Sequence, residues 1–557
     1  MKKIALFCLV VFYSCASFGQ GGTTQSNITV NRVAPRIWGN GTGAQFRWYN
    51  TKITESSGNL FLSGGSFNLG GNSLLGAGYI GTLASPFLKG WFTSLKVVDS
   101  LTLPAIISIP QLPEDYEPDT LLVWKNGRIY FTTKDKLSNN IYPVEPPFQD
   151  GTYFVSTDGN DSNPGTFAEP FLTWQKGFTT VTAGDTLVIR GGVYTGMLGI
   201  YGSNYYGVRV SARDGTASDT IKVWAYPGET PVLDCSSLSA YAGIRYGILL
   251  TNCDYWNIKG LTVKNLVEYA ANKTAYTGTG WEINDGTHIK LDQCVVTRSM
   301  NGFTVSGTVT ALRYVNCDAH HNYDYYDDGG LANGFGGNMA ATSTMFFDGC
   351  RAWANSDDGW DCYAGHGYIT FNDCWAWRNG YDVPTQGNGD GFKVGPPDPN
   401  VEEAGVQRTL NNCLAWDNYL TGFDESMDVE SSMDMVVYNC VSYRNVRDFG
   451  FKFSAAPGTG VTTLRNNIAY LNMYNYQGRE RNVTDHNTWD AGAPTINAAD
   501  FLSTDTTGVS GARGVGGSLP VLNFLKLAVG SDMIDAGVDV GLPFEGAAPD
   551  LGSYEKQ

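Results

Sequence analysis

The sequence predicts a parallel β-helix, on the strength of two markers that recur in register and a repeat length that varies. The first marker is a six-residue pattern: Cys, any residue, a small residue, an aromatic or His, any residue, Asn. It reads Cys317-Asp318-Ala319-His320-His321-Asn322, Cys350-Arg351-Ala352-Trp353-Ala354-Asn355, Cys374-Trp375-Ala376-Trp377-Arg378-Asn379, Cys413-Leu414-Ala415-Trp416-Asp417-Asn418 and Cys440-Val441-Ser442-Tyr443-Arg444-Asn445. Cys294 opens a weaker copy, and Asn467-Ile468-Ala469-Tyr470-Leu471-Asn472 closes the series with the cysteine replaced. Successive copies lie 23, 33, 24, 39, 27 and 27 residues apart. That spread excludes most helical solenoids and suits β-coils that carry loops of different length. The second marker, Gly followed by Phe or Trp, comes after the first in each coil: Gly302-Phe303, Gly334-Phe335, Gly359-Trp360, Gly391-Phe392, Gly422-Phe423 and Gly450-Phe451.

Period-two alternation sorts the faces of each coil. The cysteine and the small residue two positions on point inward, and the aromatic points outward. The asparagine falls at a turn, where stacked amides can hydrogen-bond from coil to coil. The outward rings Trp353, Trp377 and Trp416 read more naturally as mutually packed than as a sugar-stacking platform. With 68 glycines and 13% aromatics, the chain is rich in strand and turn formers. One helix is expected, Leu172 to Val181, with Trp174, Phe178 and Val181 on one face. It precedes the strand Asp185 to Ile189 and plugs the open end of the solenoid, where strand edges would otherwise be unpaired.

The chain divides into five parts on this reading. Met1-Lys2-Lys3 and the apolar run Ile4 to Phe12 form a secretory signal over 1–19, with cleavage after Gly19, so the protein is secreted or periplasmic. Cys15 lies in a poor lipoprotein context. Residues 20–140 form a β-rich accessory region for attachment or assembly, with strand-like runs at Leu121–Trp124 and Arg128–Phe131. Residues 141–150 are a Pro-rich linker, 151–477 the β-helix, and 478–557 its last coils and a cap. Oligomerisation through residues 20–150 is compatible with this layout. No run after the signal is long and apolar enough to span a bilayer. Of 11 cysteines, two fall in the signal and six in the coil ladder, so they read as packing thiols rather than disulfides.

The candidate site is the tract Asn355-Ser356-Asp357-Asp358-Gly359-Trp360-Asp361, together with Gly389-Asp390-Gly391-Phe392-Lys393 one coil later. Aligning coils on the second marker places Asp361, Lys393, Asp424 and Lys452 in one column, and Asn333, Asp358 and Asp390 in another. Rungs lie about 4.8 Å apart, so Asp357, Asp358, Asp361 and Asn333 could converge on one hard cation with oxygen ligands only. Lys393 would stand beside it. Spacing alone is equally compatible with a surface salt-bridge ladder or with purely structural calcium.

A net charge of −17 argues against nucleic acid as a partner, and it also sits uneasily with an acidic substrate. A row of Arg351, Arg378, Lys393, Arg408, Arg444 and Lys452 could offset it along one groove. Arg351, Arg378, Arg408, Lys452 and the Trp360 ring are the candidate substrate-binding residues.

These motifs carry a resemblance. Asn333-Gly334-Phe335, then Asn355 to Asp361, then Gly391-Phe392-Lys393-Val394-Gly395 resemble polysaccharide lyase family nine, the lysine-dependent pectate lyases with a right-handed parallel β-helix. The opening Tyr153-Phe154-Val155-Ser156, with Gly184-Asp185-Thr186 and Gly192-Val193-Tyr194, is similar to that of the same and related β-helix families. The likeness covers about Gly151 to Gln557. It implies calcium held by Asp357, Asp358 and Asp361, with a fourth family aspartate falling on Asn333, and Lys393 as the base that takes the C5 proton of a uronate in an acidic polysaccharide. Two other readings stand beside it: a β-helix glycoside hydrolase acting on galacturonans, and a non-catalytic glycan-binding adhesin or tailspike-like fibre.

Overall fold

In a computed structural model, the chain separates into two compact units, Met1–Val144 and Glu145–Gln557. The structure describes residues 152–556 apart from 197–198, 268–277, 326–328, 363–364, 382–386, 396–405, 426–432, 452–459, 472–473 and 479–481, together with the backbone of nine strands between residues 26 and 133. The signal segment and the linker lie outside the described residues. In the first unit, five strands from Ser26–Asn27 to Asn59–Ser63 pair antiparallel in sequence order. A hairpin joins Thr120–Lys125 to Arg128–Thr133, over the two strand-like runs of the sequence.

The second unit is a three-sheet parallel β-helix. The first sheet stacks twelve strands from Thr152–Val155 to Val483–Asp485, the second ten from Gly192–Tyr194 to Ile468–Tyr470, and the third eleven from Gly199–Tyr201 to Tyr474–Gly478. The coils therefore run on past Gln477, to Asp485. Helix α1, Trp174–Thr180, is capped by the Thr173 side chain, and it buries Trp174, Phe178 and Val181 in the common core. It packs on the first strands of the stack. A strand precedes it, since Thr152–Val155 pairs outside Thr186–Ile189.

The six-residue pattern now has a physical cause. Each of the last seven strands of the second sheet, from Val295–Thr297 to Ile468–Tyr470, is bracketed by single left-handed residues. On the near side stand Gln293, Asn316, Gly349, Asp373, Asn412, Asn439 and Asn466, and on the far side Arg298, His321, Ala354, Arg378, Asp417, Arg444 and Leu471, all with φ between 51° and 61°. Non-glycine residues enter this region at a cost, which the ladders on either side offset. The ladder cysteines are fully buried. The asparagines chain together, Nδ2 of Asn322, Asn355, Asn379 and Asn418 each donating to Oδ1 of the next, at 2.9, 3.0, 2.9 and 3.1 Å. All nine described cysteines are free and buried.

The aromatic of the second marker points inward. Phe303, Phe335, Trp360, Phe392, Phe423 and Phe449 form one interior stack with centroid spacings of 4.6–5.0 Å. Each such pair contributes about 0.5–1.5 kcal/mol beyond its area burial. This stack corrects the last marker. Phe423 pairs with Phe449 and Asp424 with Gly450, so Gly450-Phe451 is out of step, and Lys452 falls two residues beyond Asp424's partner.

The C-terminal segment lies along the outer face of the second sheet. Phe501, Phe524, Leu527 and Met533 cover Trp353, Trp377, Trp416, Tyr443 and Tyr470 in a second hydrophobic cluster. The three tryptophans stack at 4.8 Å, nearly parallel. They are packed rings under a strap, closed to sugars. Arg513 pins the strap by donating to Asp318 Oδ1 at 2.6 Å and to the Gly349 carbonyl at 2.9 Å.

Candidate active site

The site sits where the far-side turn enters the third sheet. One column builds it: Oδ1 of Asn301 accepts the Asn333 N–H, Asn333 that of Asp358, Asp358 that of Asp390, and Asp390 that of Thr421, at 3.3, 3.0, 2.7 and 2.8 Å. A ladder position consumes one oxygen. An aspartate there keeps a second oxygen for other work, whereas an asparagine keeps an amide nitrogen. The neighbouring outward column follows the register Gly336–Asp361–Lys393–Asp424.

The two columns bring the predicted carboxylates together. Asp357, Asp358 and Asp361 each present an oxygen within 4.8 Å of the others. Lys393 Nζ lies 3.2 Å from Asp358 Oδ2 and 3.3 Å from Asp361 Oδ2. Asp357 and Asp358 are buried, and Lys393 is 7% exposed. Burial pushes the Asp357 carboxyl well above the usual range, with the Asp358 charge adding to the effect. Burial likewise raises Asp358, to about 6, against the pull of Lys393. For Lys393, burial works against the charge, but Asp358, Asp361, Asp357 and Asp390 outweigh it and hold the ammonium protonated. Three carboxylates forced together, two of them buried, favour a hard divalent cation, and an all-oxygen donor set is what such an ion takes. The residues fit a metal.

Asn333 reaches the rung before Asp358, but its Oδ1 is already engaged by the Asp358 N–H. What it can offer a cation is the second lone pair of that oxygen; its Nδ2 is a donor. The glycine-rich Gly387-Asn388-Gly389-Asp390-Gly391 tract supplies contacts the sequence reading did not assign. Asn388 donates its N–H to Asp357 Oδ1 at 2.8 Å, and a Cβ on Gly387 would collide with that same carboxylate. Asp390, fully enclosed, is the fourth carboxylate in the Lys393 field. Five glycines and polar residues in a row were the available signal.

Most of the expected substrate-binding residues are elsewhere. Trp360 is wholly buried in the aromatic stack, so its ring is not open to a sugar. Arg351 is buried under the strap, with Nε and Nη2 donating to Asp318 at 2.8 and 2.7 Å. Arg408 has no exposure and donates to the carbonyls of Val394, Gly365 and Gly367 at 3.0, 2.6 and 2.6 Å. It therefore clamps the backbone just past Lys393 and Asp361. Arg378 is exposed at its left-handed turn, with its guanidinium over Tyr381. Lys452 lies outside the described residues. The proposed row of cations is thus not one groove.

Residues 153–488 match the family described as Pel9A-like, right handed beta helix region. Pectate lyase L of Dickeya dadantii (strain 3937) is 29% identical over 411 residues, spanning 72% of this chain and 90% of that protein. Pectate lyase PEL9 of Emericella nidulans is 26% identical over 412 residues, spanning 68% and 93%. The crystal structure of pectate lyase Pel9A superposes with a TM-score of 0.61 at 27% identity, covering 73% of this chain and 96% of that one. A rhamnogalacturonan lyase structure, at 23% identity and a TM-score of 0.59, shares the fold. Among the described residues no helix is long and apolar enough to cross a membrane. With the family model spanning more than half its length, the chain belongs to polysaccharide lyase family nine, adopts its right-handed parallel β-helix, and is a polysaccharide lyase.

Proposed function

We propose that this protein is a secreted, calcium-dependent lyase that cleaves a uronic-acid polysaccharide of the pectate or polygalacturonate kind by β-elimination, with Lys393 as the base. The observation that carries the proposal is the position of Lys393 Nζ, within 3.3 Å of two members of a carboxylate triad. The named relatives, pectate lyases, favour the substrate class. Asp357, Asp358 and Asp361 would hold the cation, with Asn333 beside them. A divalent ion bound there supplies positive charge to the substrate carboxylate while negative charge builds up on its α-carbon. Lys393 Nζ takes the C5 proton, and the C4 glycosidic oxygen departs with its electron pair, leaving an unsaturated uronate end. For that, the aspartates that now hold the ammonium must be engaged elsewhere. Asn388 and Asp390 orient the triad, and Arg408 fixes the backbone beyond Lys393. No nucleophile and no acid/base carboxylate pair is needed, unlike in glycoside hydrolysis. Secretion rests on the signal over 1–19.

The test is a screen of uronic-acid polysaccharides for the ultraviolet absorbance of an unsaturated uronate, with and without chelator. Absorbance that grows only with calcium supports the reading. Reducing ends without absorbance, or cleavage indifferent to chelator, would overturn it.

A further inference from the structure

The outward column that carries Asp361 and Lys393 continues toward the N-terminal coils as Gly336, Thr304 and Glu282. Beside it runs a parallel column of Asn284 and Ser306. These side chains form one polar network. Both Thr304 Oγ1 and Ser306 Oγ donate to the Glu282 carboxylate, the latter at 2.5 Å, and Asn284 Nδ2 donates to Ser306 Oγ at 2.7 Å. Glu282, Thr304, Ser306, Asn284, Gly336 and Asp361 are all partly exposed, so the network and the triad share one open face. Gly336 leaves a step in the floor between them.

At about 4.8 Å per rung, Thr304 lies two rungs and Glu282 three rungs from Asp361, roughly 10 and 14 Å. A linked pyranose is about as long as a rung, so a chain lying along this face and seated on the triad would place its second or third neighbouring sugar on the network. The chemistry changes between the two ends. The triad end carries a cation site and a lysine. The Glu282 end offers hydroxyl, amide and carboxylate groups; burial raises the Glu282 pKa, the Ser306 and Thr304 hydroxyls lower it, and no cation among the described residues contributes. A carboxylate held by two hydroxyls accepts sugar hydroxyls well and repels a uronate.

We propose that Glu282, Thr304, Ser306 and Asn284 form a subsite for an uncharged sugar, so that the preferred substrate is a uronate polymer whose charged units are interrupted by uncharged ones. This rests on the lyase reading above for the position of cleavage, but not for the binding chemistry. The uncharged unit could be a neutral hexose or a methyl-esterified uronate, and the test separates the two.

Intact protein is assayed on three polymers: de-esterified polygalacturonate, partly methyl-esterified polygalacturonate, and an alternating rhamnose–galacturonate chain. The wild type should show at least a fivefold higher kcat/KM on one of the last two than on the first, and which one identifies the sugar. Glu282→Gln keeps the shape and removes the charge; it should relax that preference at least threefold by improving KM on de-esterified polymer. Thr304→Val with Ser306→Ala should weaken KM on the preferred polymer tenfold and leave its kcat within twofold. Melting temperature checks that the variants fold. Equal or better cleavage of de-esterified polymer by the wild type, or a Glu282→Gln variant with unchanged preference, would overturn the subsite. If no polymer is cleaved, retardation in gels containing each polymer still reads the subsite. Retardation by the uncharged-unit polymers that is lost in Thr304→Val/Ser306→Ala supports it even though the lyase reading fails; equal retardation by all three refutes it.

Discussion

Replacing Asn333 by Asp should tighten calcium binding, and the ladder geometry gives the size of the effect. Asn333 Oδ1 is spent on the Asp358 N–H at 3.0 Å, and the atom left over is an amide nitrogen that cannot ligate. Aspartate would keep the ladder bond and turn the spare donor into an oxygen. One rung, about 4.8 Å, separates it from Asp358; a divalent charge held at that spacing would gain roughly 7 kcal/mol before costs at an effective dielectric of about 20. Most of this is offset. The residue is 8% exposed, and a fourth carboxylate beside three others would carry a proton until the ion displaces it. A net gain of about 1–3 kcal/mol, or roughly tenfold to a hundredfold in affinity, is the expected residue. Calorimetric titration with calcium measures it directly. The calcium-free variant should be less stable than wild type, and the calcium-loaded one more stable, so the calcium-induced rise in melting temperature should widen. Unchanged affinity with an unchanged ladder would show that the ion does not lie next to this column.

Three further outcomes are expected. Lys393→Ala and Lys393→Arg should both lose elimination by at least a hundredfold in calcium-loaded, folded protein, the first for want of a base and the second because a guanidinium stays protonated at any workable pH; near-normal turnover in the arginine variant would move the base elsewhere. Trp360→Phe, a volume loss inside the aromatic stack, should lower unfolding stability by about 1–3 kcal/mol and leave KM within twofold; a large KM change with intact stability would restore Trp360 to the substrate. His320 is held to about 3 from an ordinary 6.5, first by burial and then by His321, with Arg351 and Arg298 adding to this and Asp318 opposing. The unfolded chain therefore binds one more proton between those values, and stability falls as pH drops from about 6.5 toward 3. In denaturant titrations His320→Gln should be less sensitive than wild type over that window; identical pH slopes would contradict the assignment.

What the sequence made legible was whatever repeats once per coil. The Cys and Asn ladders, the inward small residue and the carboxylate triad all follow from register, and a one-residue slip would turn every side chain to the wrong face. The failures share a different cause. Phe449 and Phe451 are both candidates for the last marker, and only the interior stack on Phe423, at 5.0 Å, chooses between them. Arg351 and Arg408 look like a basic row because residue type gives a charge and not its surroundings; Asp318 and a set of carbonyls consume them. The strap has no period to read, and its contacts with the coils, such as Arg513 to Asp318, join residues 195 apart. The Glu282 network was invisible for a simpler reason: isolated Glu, Thr and Ser residues signify nothing until their columns are known.

The column from Asn301 to Thr421 also explains how an acidic protein can present a site for an acidic chain. Its asparagines and aspartates do the same backbone task, each oxygen accepting the N–H of the next coil. Exchanging Asn for Asp at such a position leaves the fold's hydrogen bonds in place and alters only the atom that is left over. At Asp358 that atom is the oxygen 3.2 Å from Lys393. The scaffold therefore supplies acid groups at rung spacing without a separate loop to hold them, and the burial that makes those charges costly is what makes a cation there favourable. Net charge over 557 residues says little about such a place. The charge that an acidic polymer meets is set by the few buried groups of two adjacent columns and by the ion they can hold, and one rung along the column is enough to change its sign.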